Sequence, residues 1–125
     1  MKGVYPCGAA MAPEDRQAFD PDAARERMGV GRKEFARFFD YIWNEVRERR
    51  SRLDEAWRAG DWKAVALHAH TVKSSAAAIG AEGLRRTAEA VERAATAGDA
   101  AALEEALRTF HAARDLLARL VGMAF

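Results

Sequence analysis

Residues 61–80 read DWKAVALHAHTVKSSAAAIG, and the spacing inside this stretch decides the fold. Its apolar residues fall at Trp62, Val65, Ala69, Val72, Ala76 and Ile79. Steps of three and four place all of them on one face of a helix. Asp61 precedes the run as an N-cap, and Gly80 ends it. The stretch is therefore a predicted amphipathic helix from Trp62 to Ile79, with one face in a core and the other in water.

The same pattern recurs on both sides. Asp20-Pro21 is a helix start, with Asp as N-cap and Pro at the first helical position, and Gly29 and Gly31 keep that helix short. A long helix follows from about Arg32 to Ala59, with Phe35, Phe39, Ile42, Val46, Leu53 and Ala56 as its stripe and Phe38 and Trp57 flanking. Arg49 interrupts the stripe and is expected near an end of the bundle, where a long side chain reaches water. Beyond Gly80 comes Glu82 to Ala97, with Leu84, Ala88, Val91 and Ala95 inward, then Gly98-Asp99 as stop and new cap. The last helix runs from Ala100 to about Val121, with Leu103, Leu107 (or Ala106), Phe110, Leu117 and Leu120. Connections of two to four residues make consecutive helices antiparallel neighbours. The expected fold is all-α: an antiparallel up-down-up-down four-helix bundle over residues 20–125, with a short extra N-terminal helix. Residues 1–19, rich in Gly and Pro, are expected to be a flexible arm.

Composition agrees. The chain has 125 residues, enough for one domain, of which 29 are Ala, and no proline follows Pro21. Ala, Leu, Arg and Glu dominate after that point, and all favour helix. Lys+Arg (20) and Asp+Glu (19) nearly cancel, giving no reason to expect nucleic acid as a partner. Cys7 is the only cysteine, so no internal disulfide forms. No apolar run approaches the roughly 20 residues needed to span a bilayer. The opening residues lack a signal-peptide pattern, so the expected setting is a cytoplasmic monomer without membrane contact.

The chemistry candidates are few. The histidines are His68, His70 and His111. His68 and His70 are two residues apart on a helix, roughly 200° around the axis, so they do not share a metal. His70 lies roughly 130° from the centre of the apolar stripe and faces water, whereas His68, at roughly 70°, lies at the core boundary. Lys73 and Ser74 follow His70 by one turn, on the same patch, as does Ala77, while Leu67 precedes it on the polar side. An exposed Leu beside an exposed His, a Lys and small residues suggests a docking surface. A neutral imidazole is a good nucleophile near pH 7, its unperturbed pKa being about 6.5. Lys73 offers positive charge for an anion on His70, and the small side chains leave room for a bulky group. A phosphoryl group fits these requirements. No phosphate-cradling Gly loop, no carboxylate cluster for Mg²⁺ and no general base one turn from His70 are seen, so such a chain would carry a phosphoryl group without drawing one from ATP. Ordinary readings stand beside these: His111 as a surface residue next to Phe110, the aromatics as core, and Arg47, Arg49, Arg50 and Arg52 as a solvated face interleaved with Glu45, Glu48 and Asp54.

The run His70-Thr71-Val72-Lys73-Ser74-Ser75-Ala76-Ala77-Ala78-Ile79-Gly80-Ala81, followed by Leu84, Ala88, Val91-Glu92, Ala94 and Gly98-Asp99, resembles the histidine-containing phosphotransfer (HPt) domain. The small-residue run, the Gly and the next helix match that family's pattern in register. Val72 stands for its usual Leu and Ser74 for its usual Gly. The resemblance implies that His70 is the phosphoacceptor, that Lys73 is the electrostatic partner of the phosphoryl oxygens, and that Leu67, Ser74 and Ala77 meet a receiver domain. It further implies a carrier without kinase activity, relaying phosphoryl groups between receiver-domain aspartates of response regulators and of a hybrid histidine kinase. No cofactor or metal of its own is expected, since the receiver brings the Mg²⁺. The alternatives are a degenerate member that binds a receiver without relaying phosphate, and a helical adaptor without phosphate chemistry.

Overall fold

The computed structural model describes residues 11–124, of which 123 and 124 are described as backbone only. After a 3-10 turn at Asp15–Gln17 come five helices: α1 (Pro21–Met28), α2 (Arg32–Arg58), α3 (Trp62–Ala78), α4 (Glu82–Ala97) and α5 (Ala100–Ala124). Their starts follow the caps read from the sequence. Asp20, Asp61 and Asp99 each accept a hydrogen bond from the backbone N–H three residues on, at 3.1, 3.1 and 3.0 Å. Each cap satisfies an N–H that the helix itself leaves unpaired.

The helices pack in sequence, α2 on α3, α3 on α4 and α4 on α5, with α3 and α4 in the most extensive contact. Alanine makes that closeness possible: Ala69 and Ala76 on α3 and Ala88 and Ala95 on α4 are buried with Val65, Val72, Leu84 and Val91. Phe35, Phe39, Val46 and Leu53 of α2 and Leu103, Phe110, Leu117 and Leu120 of α5 complete the core. Both Ala106 and Leu107 are buried, so the last helix uses both of the positions between which the spacing left a choice. Ile42 and Trp62 lie at the core margin, only partly buried.

Two expectations need correction. The packed unit begins before residue 20. Phe19 is fully buried against Phe39, at 5.7 Å between ring centroids, and Met11 is also buried. An aromatic side chain removed from water this completely is worth more to the fold than the freedom of a loose arm. The remainder of the expected arm, residues 1–10, lies outside the described residues. Arg49, expected near a bundle end, sits well inside α2. There its guanidinium bonds Glu45 at 2.9 Å and reaches His68 of α3 at 3.4 Å. A partner on its own helix and one across the helix pair let the cation sit mid-bundle, half-buried.

α1 is fastened to the turn between α3 and α4. The Asp20 N–H donates to Gly80 O at 2.8 Å, and the Gly83 N–H donates to Ala18 O at 3.1 Å. Gly80 has φ +80°, and a Cβ on it would lie 2.3 Å from Asp20 O. Glycine is required there twice over, by the left-handed backbone and by the closeness of α1.

Candidate functional site

His70 occupies the middle of α3 on the polar face, with 56% of its side chain exposed. Its neighbours Ala69 and Val72, both fully buried in the core, fix this phase. The exposed imidazole follows from the stripe that the sequence displays.

α4 then contributes a residue that the helix spacing did not indicate. Glu92 carries one oxygen, Oε2, 2.9 Å from His70 Nδ1 and the other, Oε1, 2.8 Å from Lys73 Nζ. No base lies one turn from His70 on its own helix, as read; the carboxylate comes instead from the adjoining helix, 22 residues away. The Lys73 ammonium beside it, above all, together with the His70 ring, holds the Glu92 carboxyl below the usual carboxylate range, against a smaller opposing effect of burial. Glu92 is accordingly ionised at neutral pH and only accepts hydrogen bonds. Nδ1 must then carry a ring proton, so that in the neutral ring Nε2 holds the lone pair. Lys73 is half-buried and engaged with Glu92 rather than reaching freely into solvent.

His70 lines one shallow cleft, and Ser74 and Ala77 line another. One is lined by Asp61, Lys63, Ala64, Leu67, His70 and Glu92. Leu67 is 60% exposed there, as the phase of the helix requires. The other is lined by Ser74, Ala77 and Ala78 of α3, Phe38 of α2, and Ala24, Arg27 and Met28 of α1. The structure thus brings His70, Lys73 and Leu67 together around Glu92, and sets Ser74 and Ala77, both exposed, in the second cleft. The Ser74 hydroxyl makes no bond back to the helix. Thr71 does so instead, to Leu67 O at 3.3 Å.

The other histidines are engaged elsewhere. His68 Nδ1 accepts from Arg49 at 3.4 Å. Burial, then the charges of Arg49 and Arg52, push its pKa below the ordinary 6.5. His111 lies 3.7 Å from Asp54 of α2 and against the Phe110 ring, on the α2–α5 seam. The arginine run pairs along its own helix, Arg49 with Glu45, Arg50 with Asp54 and Arg52 with Glu48. Among the described residues there is no group of His, Cys, Asp and Glu that could hold a metal ion.

The helical bundle thus presents an exposed imidazole hydrogen-bonded to a carboxylate of the adjoining helix. The profile of the Hpt domain family matches residues 37–122, and the chain belongs to that family. Hpt domains are phosphocarrier modules that pass phosphoryl groups through a histidine in phosphorelays and interact with receiver domains. No curated protein and no solved structure matches the chain with significance. No helix among the described residues is long and apolar enough to cross a membrane.

Proposed function

We propose that this chain accepts and donates a phosphoryl group at His70 Nε2, relaying it between aspartates of receiver domains. The observation that carries the proposal is the bond from His70 Nδ1 to an ionised Glu92. It favours the tautomer with the proton on Nδ1, which supports Nε2 as the nucleophile of an exposed ring. In the forward step, Nε2 attacks the phosphorus of an aspartyl phosphate in line. The Nε2–P bond forms, the acyl O–P bond breaks, and the aspartate leaves as a carboxylate. The ring gains positive charge while Nδ1 keeps its proton, and the Glu92 carboxylate at 2.9 Å offsets it. Glu92 is thus a positioning residue, comparable in role to the aspartate behind a protease histidine. Lys73 keeps the second oxygen of Glu92 in place and adds positive charge one turn from the phosphoryl group. The Mg²⁺ that such chemistry uses belongs to the receiver, and donation to the next receiver is the reverse of uptake.

The test is incubation with a receiver domain carrying labelled phosphoryl. Acid-labile, alkali-stable label should appear on this chain, persist in His68→Ala and vanish in His70→Ala. Label retained by the His70 variant overturns the assignment.

A further inference from the structure

The cleft beside Ser74 has a wall that the Hpt match does not include. The family profile begins at residue 37, and α1 (Pro21–Met28) precedes it. What α1 brings to the docking face is therefore not dictated by the family pattern. α1 is nonetheless held in place, by Asp20 on Gly80, by Ala18 on Gly83 and by the buried Phe19.

Two of its side chains stand out. Met28 is 41% exposed, one of three large hydrophobic residues so exposed among the described residues. It lines the cleft with the partly buried Phe38 and the small side chains of Ser74, Ala77 and Ala78. Arg27 donates from Nη2 to Ala77 O at 3.4 Å, which lays its stem across the last turn of α3. Arg27 makes no ion pair among the described residues. The acid it feels, Glu82, is already bonded by Arg85 and has Arg86 at 3.8 Å. Arg27 thus presents an uncommitted cation, with hydrogen-bond donors in hand, at the rim of an apolar notch. The notch shares Ser74 with the patch around His70, so a surface that reaches the imidazole also covers it.

We propose that α1 is the partner-selecting element of this chain: Arg27 pairs with a carboxylate on the docking receiver domain, and Met28 and Phe38 enclose an apolar side chain next to it. The proposal rests on the reading of His70 as the phosphoryl-accepting residue. Rim charges of this kind set encounter rate and discriminate partners more than they set chemistry. An apolar anchor beside a cation is also the composition that interfaces favour.

The test separates chemistry from docking by using two donors on the full chain. Phosphoramidate, a small donor that needs no docking surface, should label His70 equally in the parent, Arg27→Glu and Met28→Ala. A phosphorylated receiver domain that exchanges with the parent should transfer to Arg27→Glu with kcat/KM lower by about tenfold or more, mostly through KM, and with a weaker dependence on salt. Arg27→Lys should recover most of the loss, and Met28→Ala should also raise KM. Transfer to Arg27→Glu at the parental rate at low salt overturns the proposal. So does a loss of phosphoramidate labelling in Arg27→Glu, because Arg27 would then act on the site itself. Absence of label on His70 in the parent with either donor instead defeats the proposed function, and that outcome is distinct from both.

Discussion

Glu92 holds two partners at once, and the chemistry proposed for His70 rests on that grip. Replacing it with Gln keeps the size and removes the charge. The amide can donate to Nδ1 as readily as accept from it, so the proton on Nδ1 is no longer enforced. Glu92→Gln should fold normally and lose at least about tenfold in the rate of phosphoryl uptake, toward the much larger losses seen where a wrong histidine tautomer is set. Uptake at the parental rate would show that Glu92 has no part in orienting the ring. Ser74 is the second residue whose effect is open to test. It is exposed, one turn from His70, on the wall of the α1 cleft. Ser74→Gly should retain uptake and lower the stability by roughly 0.5–1 kcal/mol, the helix cost of glycine. Ser74→Leu should block transfer from a receiver while phosphoramidate still labels His70. Melting temperature and the two labelling rates measure both variants.

At the scale of the elements, the helix ends, the stripes and the exposure of His70 were all legible, because caps and three-four spacing act locally. Asp20, Asp61 and Asp99 cap as read, and Val65, Ala69, Val72 and Ala76 are inward as read. What stayed illegible was contact between elements. Glu92 sits next to Val91 in the sequence, which hinted only that it borders the core. That it reaches His70 depends on how α4 lies against α3. The docking of α1 was hidden likewise, since Phe19 precedes the cap and belongs to no periodic run. Gly80 carries the α1 contact and offers the direct test. Gly80→Ala meets both a left-handed backbone and the Asp20 carbonyl, whereas Gly98→Ala, at φ +69° with open space around it, meets the backbone term alone. Gly98→Ala should cost roughly 1–2 kcal/mol and Gly80→Ala clearly more, by denaturant unfolding. Equal costs would mean that α1 is not seated on this turn.

For the molecule as a whole, the same bundle keeps one histidine available and commits another to structure. His68 has a folded pKa below the ordinary 6.5, so the unfolded chain binds a proton that the folded one resists. Its contribution is complete above the ordinary value and is lost as pH falls through the folded one. The parent should therefore lose stability as pH falls below the ordinary value of 6.5, and His68→Gln should lose less over the same descent. A variant with the same slope as the parent would place the acid sensitivity elsewhere. The central claim is that His70 alone carries the phosphoryl group, on Nε2, with Nδ1 protonated toward Glu92. The most direct measurement is nitrogen-15 NMR of the phosphorylated chain with labelled histidines. The expected result is phosphorus coupling at Nε2 of His70, a proton retained at Nδ1, and unchanged signals from His68 and His111. Coupling at Nδ1 of His70, or at either of the other two rings, would contradict it.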